Sequence, residues 1–238
     1  MSNVMFYEKP VAVNRDQHRS TLIGQVTSLS FAAKTNSVFL NGVEFIEACK
    51  EYPIVFADIG GRKVPVALVG LRDNENLFVQ ADGTWDARYI PAFVRRYPFV
   101  LAEGAGDQLV VCIDEASTAF NAKDGQPLFD KDGANTPFLD SALNFINAYQ
   151  AELKRTEAFI SKLDARGLFK EMSSKTELTD GRNFLLNGIY VIDEQKLMAS
   201  NAQEISEMLQ SGEAGWAFAH LISLSNMGRL VDRISKKT

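Results

Sequence analysis

Short apolar runs separated by turn signals occupy much of the first half of the chain, and this pattern predicts β-strands. A β-type run at residues 54–59 opens after Pro53, and a second run at residues 64–71 begins beyond the turn signal Gly60-Gly61. Further short strands are predicted at residues 22–30, 77–79 and 109–113. Together these segments predict an antiparallel β-meander.

Apolar residues at helical spacing dominate the second half of the chain. Thr136 and Pro137 are residue types favoured at the N-cap and first position of a helix, and apolar residues then recur three and four positions apart as far as Leu163. Gly167 is a C-terminal cap signal, so one long helix is predicted between Pro137 and Gly167. Shorter helices are predicted at residues 42–51, 91–97, 201–210 and 216–234, with a polar loop at 173–180 and a strand at 188–192.

The order of these elements bears on domain organisation. Residues 1–40 are predicted to form an irregular or extended arm that packs on the main body. No internal repeat, low-complexity tract or flexible linker separates the remaining elements. We therefore expect residues 1–238 to form a single α+β domain, an antiparallel β-meander with packed helices and a helical C-terminal part.

Composition and charge narrow the class of protein. A hydrophobic content of 46% and a charged content of 23% are typical of a soluble globular protein. The net charge of -5 argues against nucleic acid as a partner, because phosphate binding requires a concentrated basic surface. The apolar runs are far shorter than the ~20 residues that span a bilayer. No secretory signal is recognisable, so the cytoplasm is the expected compartment, with signal-independent export left open.

Residue types that bind metals or act as nucleophiles are sparse. His18 and His220 are the only histidines, and no cysteine or histidine stands at metal-ligand spacing, so neither a zinc site nor a cofactor is predicted. Cys49 and Cys112 are expected to be buried thiols rather than a disulfide. His220 lies among apolar residues of the last helix and is expected to be a core residue with satisfied hydrogen bonds.

Two acidic features give weaker signals. Residues 130–133 begin like a calcium-binding loop, but Asn135 stands where that loop requires glycine and Ser141 where it requires glutamate, so a turn is predicted instead. Asp114 and Glu115 end an apolar strand, where catalytic acids do occur, yet ordinary solvated acids are commoner there. No catalytic residue is therefore assigned, and whether the chain is an enzyme is left open.

The densest cluster of arginine and aromatic residues lies at residues 85–97. If the helix predicted there extends back to Asp86, Arg88 and Arg95 share one face. Two guanidinium groups beside aromatic rings can hold a carboxylate or a phosphate through paired hydrogen bonds. The alternative is that the rings pack in the core and the arginines pair with nearby acids, namely Asp82, Asp86 and Glu103. The predicted ligand-binding residues are Trp85, Arg88, Tyr89, Arg95, Arg96 and Tyr97.

Several segments resemble the SapC family, and the resemblance covers the chain from about residue 4 to residue 230. The most distinctive is the W-x3-YIPA-x2-RRYPF core within NLFVQADGTWDARYIPAFVRRYPFVL. The other matching segments are FIEACKEYPIVF, PVALVGL, LFDKDG, LNGIYVIDEQKLM and AGWAFAHLISLSNMGRL. The family takes its name from bacterial surface layers, so the resemblance implies such an association as one role.

The resemblance also implies an accessory role. Genes of related proteins are found beside those of flavin-dependent halogenase-like proteins and outer-membrane receptors, which points to uptake or modification of a polymer or peptide. The family has no established catalytic residues to assign to this chain. Some members are described as transporter permeases, a role that requires membrane helices this sequence lacks.

We therefore expect a non-catalytic binding or accessory protein that recognises a peptide, protein or glycan partner. Two alternatives stay open. One is an enzyme whose catalytic residues converge only on folding, around Asp114, Arg95 and His220, and the other is a structural subunit of a surface layer. The oligomeric state is not predicted. A shallow aromatic groove would favour binding, whereas a deep pocket with converging polar groups would favour an enzyme.

Overall fold

Antiparallel sheets form the framework of the fold, as described by a computed structural model for residues 5–103, 108–177 and 183–236. The largest sheet has five strands, in the spatial order β3 (Ser37–Phe39), β5 (Arg62–Leu68), β4 (Ile54–Ile59), β10 (Asn183–Ile192) and β9 (Phe169–Glu177). A second sheet places β7 (Leu109–Asp114) between β1 (Pro10–Ala12) and β6 (Phe99–Glu103). A two-stranded pair joins β2 (Leu22–Ile23) to β8 (Gln126–Pro127).

Helices lie between these strands along the chain and form its C-terminal part, so the predicted α+β class is confirmed. The α-helices are α1 (Phe45–Ala48), α2 (Ala92–Arg95), α3 (Pro137–Ala165), α4 (Glu194–Met198), α5 (Ala202–Ser211), α6 (Glu213–Ser223) and α7 (Met227–Lys236). The predicted start of α3 is confirmed, because the Thr136 hydroxyl accepts a hydrogen bond of 3.3 Å from the Leu139 N–H. None of the helices in the described residues is long and apolar enough to cross a membrane.

The hairpin of β4 and β5 confirms the first predicted strand pair. Gly60 and Gly61 both have positive φ, at 63° and 82°, which is the conformation that a two-residue hairpin turn with the correct twist requires. The Asp58 carboxylate accepts a hydrogen bond of 2.8 Å from the Gly61 N–H. Local turn chemistry therefore fixes the register of the two central strands.

The strand predicted at residues 77–79 is wrong. The structure has only an isolated bridge between Val79 and Trp85 at this point. The reason is local, because the Asn76 side chain accepts a hydrogen bond of 2.9 Å from the Phe78 N–H and shapes the backbone into a loop.

Two other predicted elements change in extent. Of residues 22–30, only Leu22–Ile23 pair as a strand. The polar loop predicted at residues 173–180 is wrong at its start, because residues 173–177 belong to β9 and pair with β10. An antiparallel strand at the edge of a sheet tolerates the polar side chains that suggested a loop. Residues 178–180 lie outside the described residues.

The helix predicted over residues 216–234 is interrupted by a 3-10 turn at Leu224–Asn226. Two polar side chains at this break are used for contacts with the rest of the fold. The Ser223 hydroxyl accepts a hydrogen bond of 2.9 Å from the first N–H of β4. The Asn226 amide donates one of 2.7 Å to the Cys49 carbonyl oxygen. Tertiary contacts thus override a continuous helical pattern.

Helix α3 packs against both larger sheets. Leu139 and Ile146, from its N-terminal half, join Phe99 and Ile113 in a core cluster beside the second sheet. Phe159, from its C-terminal half, belongs to the main core between the five-stranded sheet and the C-terminal helices. The segment that carries α2 also meets α3, where Arg95 lies against Phe145 and Arg96 against Tyr149.

The predicted packing of the N-terminal arm is confirmed for residues 5–40. The Tyr7 ring is buried, and its hydroxyl donates a hydrogen bond of 2.7 Å to the Phe99 carbonyl oxygen. β1 then pairs with β7, so that Val11 lies opposite Ile113. The arm therefore supplies an edge strand of the second sheet.

Candidate functional site

The predicted site residues lie at residues 85–97, just before β6. One buried carboxylate fixes the conformation of this segment. Glu44 is 5% exposed, and its Oε1 accepts hydrogen bonds of 2.7 Å from the Tyr89 hydroxyl and from the Ala92 N–H. Its Oε2 accepts another, of 2.8 Å, from the Asn41 N–H. Three donors compensate for the burial of the charge, so the segment is held firmly against the core.

Trp85 and Tyr89 hold this segment together. The Trp85 Nε1–H donates a hydrogen bond of 2.8 Å to the Tyr52 hydroxyl, and its ring stacks on Phe78 with centroids 6.2 Å apart. The Tyr52 hydroxyl in turn donates to the Tyr89 carbonyl oxygen. Burial raises the pKa of the Tyr52 and Tyr89 hydroxyls, so both remain protonated donors at neutral pH. Both side chains therefore pack against the core and are only partly buried.

Arg88 does not join the arginine cluster. The condition on which Arg88 and Arg95 would share a face, a helix that extends back to Asp86, is not met, because α2 begins only at Ala92. Pro91 before it has an extended backbone, with ψ of 142°, and acts as the N-cap. Arg88 and Arg95 therefore share no helical face, and Arg88 is exposed without a hydrogen bond or ion pair to the described part of the chain.

Arg95 is exposed but held in place by its surroundings. Its Nε–H donates a hydrogen bond of 2.8 Å to the Ile90 carbonyl oxygen. Its guanidinium carbon lies 5.2 Å from the centre of the Phe145 ring and 5.8 Å from that of Tyr89. No carboxylate of the described residues lies within ion-pair distance of it. The guanidinium group is thus oriented beside the Tyr89 hydroxyl, and it has no acidic partner among these residues.

Two adjoining cavities, of about 370 and 380 Å³, meet at Arg95. Both are lined by Val26, Arg95 and Tyr97, and we call the combined depression the Arg95 groove. It is open to solvent and predominantly apolar. Further apolar and aromatic walls come from Leu29, Trp85, Ile90, Phe99, Phe138 and Phe145.

One wall of the Arg95 groove is a stretch of backbone with open hydrogen-bonding capacity. Residues 24–29 run without a turn or bend. The Gly24 and Leu29 N–H groups donate to carbonyl oxygens elsewhere in the chain, at 2.8 Å each. Between them, the N–H and C=O groups of residues 25–28 form no hydrogen bond with another described residue. These groups can therefore pair with a second extended chain.

Arg96 lines one of the two groove cavities beside Arg95, and its guanidinium group lies among aromatic side chains. Its guanidinium carbon lies 4.0 Å from the centre of the Phe93 ring, 5.1 Å from that of Tyr149 and 5.9 Å from that of Tyr7. Its Nε is buried and has no hydrogen-bond partner among the residues that the structure describes. Arg95 and Arg96 therefore have different environments although they are adjacent in sequence.

The acids proposed as partners of these arginines have other roles. The Asp82 carboxylate accepts hydrogen bonds from the N–H and hydroxyl of Thr84, at 2.9 and 2.7 Å. Asp86 pairs with Arg233 of α7 at 2.7 Å. The side chain of Glu103 lies outside the described residues. Pairing with Asp82 or Asp86 is thus wrong as an account of Arg95 and Arg96.

Tyr97 links the groove to the N-terminal arm. Its ring stacks on Phe31 with centroids 4.0 Å apart, and its hydroxyl donates a hydrogen bond of 3.3 Å to Asp114. Asp114 is fully buried and also accepts a hydrogen bond of 2.8 Å from the Lys9 N–H. Burial raises the pKa of the Tyr97 hydroxyl, which keeps it a donor.

The structure does not bring together the residues of the enzyme alternative. His220 is completely buried in the main core, where its ring bonds the Ile54 carbonyl oxygen at 2.9 Å and the Ile192 N–H at 3.0 Å. Asp114 binds the arm, and Arg95 lies in the open groove. The prediction of His220 as a satisfied core residue is confirmed, and no converging constellation of these three groups exists.

Metal and thiol chemistry has little support among the described residues. No cluster of acidic, histidine or cysteine side chains there could hold a metal ion. Asp130 accepts hydrogen bonds from the Asp132 and Ala134 N–H groups, at 2.9 and 2.8 Å, which confirms a turn. Cys49 and Cys112 are free, and burial raises the pKa of both thiols. Cys112 is buried as predicted, whereas Cys49 is only partly so.

Two residues central to this region were not predicted as site residues. Glu44 follows Asn41 at the spacing of a capping box, a signal that could have indicated a carboxylate turned back toward the chain. Tyr149 occupies one of the regular apolar positions of α3 and gave no signal beyond core packing. Nothing local in the sequence shows that Arg96 faces it.

Comparison with known proteins bears on the family. The family model described as SapC matches residues 13–230, which confirms the resemblance over most of the chain. No curated protein and no solved structure matches the chain.

Proposed function

The chain belongs to the SapC family, and we propose that it is a non-catalytic binding or accessory protein that recognises an extended peptide segment with an acidic side chain. The Arg95 groove is the proposed binding site. In this proposal, the acidic side chain contacts Arg95, and flanking apolar side chains contact the aromatic walls.

The state of Arg95 is the observation that carries the proposal. An exposed arginine commonly pairs with a neighbouring acid or samples many rotamers. Here one nitrogen is anchored on the Ile90 carbonyl oxygen, and aromatic rings flank the guanidinium group. Because the side chain is already ordered, less conformational entropy is lost when a carboxylate binds to its remaining nitrogens.

The backbone of residues 25–28 supports a peptide in preference to a glycan. Its N–H and C=O groups have no partners in the described chain, and Gln25, Val26 and Thr27 line the groove. Adding an extended strand to such an edge is a common mode of peptide recognition, in which main-chain bonds supply affinity and side-chain pockets supply specificity. A glycan would use the aromatic rings but would not match this edge.

We place the peptide in a partner protein of an uptake or modification pathway, such as one with flavin-dependent halogenase-like proteins. This part of the proposal is motivated by the family resemblance alone. It assigns no bond-making chemistry to the chain itself.

Binding of three labelled nine-residue peptides, followed by fluorescence anisotropy, tests the site. The peptides share alternating phenylalanine and serine residues and differ at the central position, which is Glu, Gln or Lys. We expect the Glu peptide to bind at least about tenfold more tightly than the other two, because a charge-assisted hydrogen bond contributes roughly 1.5 kcal/mol or more.

Two arginine variants provide the control. Arg95→Ala should abolish the preference for Glu, whereas Arg88→Ala removes the same charge from an exposed position outside the groove and should preserve it. Equal affinity for the three peptides, or equal loss in both variants, would contradict the proposal. Direct binding of a neutral oligosaccharide, with no binding of any of the three peptides, would favour a glycan partner.

A further inference from the structure

A second cavity lies on the other side of the arginine pair, between α3 and the β3–β5 edge of the large sheet. It has a volume of about 260 Å³, below the roughly 300–1,000 Å³ of sites for drug-sized ligands. We call it the Arg96 cavity. Its walls are mostly apolar and include Phe39, Val64, Pro65, Phe93, Leu153 and Ile160.

Two polar side chains in the Arg96 cavity have unused hydrogen-bonding capacity. Tyr149 is 7% exposed, and its hydroxyl makes no hydrogen bond with another described residue. Burial raises the pKa of Tyr149 to about 12, so this hydroxyl is a donor at neutral pH. Arg96 also lines the cavity, and no carboxylate of the described chain lies within ion-pair distance of it.

The surroundings of Arg96 favour an anionic ligand. The guanidinium group lies over the Phe93 ring and beside Tyr149, where aromatic faces replace part of its hydration. A partly buried cation without a counter-charge is unfavourable, and an incoming carboxylate relieves this cost. Arg96 and Tyr149 both line this apolar cavity, so both can donate hydrogen bonds to a carboxylate bound there.

We propose that the Arg96 cavity binds a small monocarboxylic acid with an apolar body. The carboxylate accepts hydrogen bonds from Arg96 and from the Tyr149 hydroxyl. The apolar body then lies against Val64, Leu153 and Ile160. This proposal does not rest on the proposed peptide binding, although Arg96 also lines one of the two cavities of the Arg95 groove.

The outer end of the cavity explains the preference for one carboxylate. Lys63 and Glu157 line both this cavity and the next depression along α3, so they stand at the end remote from Arg96. Lys63 is already paired with Asp164 at 2.6 Å, whereas Glu157 is exposed. A second carboxylate on the ligand would meet Glu157 without a free cation nearby.

Titration calorimetry with sodium octanoate tests the proposal, with 1-octanol and octanedioate as comparison ligands. We expect saturable binding of one octanoate per chain. Octanol and octanedioate should bind about tenfold more weakly. Octanol lacks the carboxylate that pairs with Arg96, and the second carboxylate of octanedioate would be repelled by Glu157.

Variants of residues that line only this cavity separate its role from that of the groove. Tyr149→Phe should weaken octanoate binding about fivefold, as expected for the loss of one hydrogen bond of about 1 kcal/mol. Leu153→Trp should fill the cavity and remove binding, with circular dichroism to show that both variants fold. Arg95→Ala should leave octanoate binding unchanged.

Three results with octanoate would overturn the proposal. They are absence of octanoate binding to the folded wild-type chain, equal binding of octanol, and unchanged binding in a folded Leu153→Trp variant. An Arg95→Ala variant that loses octanoate binding would place the ligand in the groove instead. Absence of peptide binding, with octanoate binding retained, would contradict the proposed function but not the carboxylate site in the Arg96 cavity.

Discussion

At the scale of single residues, His220 shows how a buried histidine can serve as a connector. Its Nδ1–H donates to the Ile54 carbonyl oxygen, and its Nε2 accepts from the Ile192 N–H. The ring therefore bridges two neighbouring strands from α6. This arrangement requires the neutral imidazole, because a proton on Nε2 would point at another donor.

The first prediction concerns the pH dependence of stability that follows from this geometry. Burial lowers the pKa of His220 from 6.5 to about 4 in the folded chain. Between these pH values the unfolded chain binds a proton at His220 that the folded chain does not. The contribution of His220 to the free energy of unfolding is therefore complete above pH 6.5 and is lost as the pH falls toward 4. At about 1.4 kcal/mol per pH unit, the loss from this one residue approaches about 3 kcal/mol.

Denaturant unfolding at several pH values between 4 and 8 measures this effect. The variant His220→Gln retains a donor and an acceptor but cannot titrate, so its free energy of unfolding should depend less steeply on pH below 6.5. The difference between the two profiles removes the contribution of the carboxyl groups common to both. Parallel profiles for wild type and variant would show that His220 does not titrate in this range.

At the scale of elements, one glycine determines the junction of α5 and α6. Gly212 ends the first helix and begins the second with φ of 79°, a left-handed conformation that is unfavourable for residues with a Cβ. The junction turns the chain so that α6 can reach the core with Trp216 and His220, both of which are buried.

The second prediction compares two glycines of this C-terminal part. Gly212→Ala should lower the free energy of unfolding by about 1–2 kcal/mol, the usual cost of a left-handed residue with a Cβ. Gly228 lies within α7, and a Cβ there would contact nothing within 4 Å. Gly228→Ala should therefore raise stability by about 0.5–1 kcal/mol. Chemical denaturation of the two variants checks the opposite signs, and a shift in the same direction for both would refute the account.

Elements defined by local signals could be predicted from the sequence, and those defined by distant contacts could not. The start of α3 depends on Thr136 and Pro137, and the β4–β5 turn on Gly60-Gly61, all within a few residues of the element. The start of the loop predicted at residues 173–180 instead became strand, because β10 pairs with it from a distance in the chain.

The same distinction applies to the candidate site. The sequence could place Trp85, Arg95 and Tyr97 close together because they lie within one short segment, and all three line the groove. It could not show that Arg96 faces Tyr149, since α3 crosses this segment only in the folded chain. Arg88 was misplaced because the helix start depends on the cap at Pro91 and on Glu44, which is remote in sequence.

At the scale of the whole molecule, Asp114 joins the N-terminal arm to the second sheet and to the groove. Its buried carboxylate accepts hydrogen bonds from the Glu8 and Lys9 N–H groups, at 3.2 and 2.8 Å, and from the Tyr97 hydroxyl at 3.3 Å. The Ala116 N–H supplies a fourth, at 3.2 Å. Because residues more than a hundred positions apart meet at one carboxylate, this contact forms only when the chain is folded.

The third prediction concerns Asp114→Asn, in which an amide replaces the carboxylate that accepts these four hydrogen bonds. Asp114→Asn retains the shape but turns an N–H2 group toward N–H donors, and each unsatisfied buried donor costs about 1–3 kcal/mol. We expect the arm to open more often, with amide exchange of residues 8–13 about tenfold faster or more, since about 1.4 kcal/mol corresponds to a factor of ten. Exchange in the β4–β5 hairpin should change less, because its strands are held by the main core.

Hydrogen–deuterium exchange of the variant measures both regions, with Asp124→Asn, an exposed acid, as the matched control. Unchanged protection of residues 8–13 in Asp114→Asn would show that strand pairing between β1 and β7 holds the arm without the carboxylate.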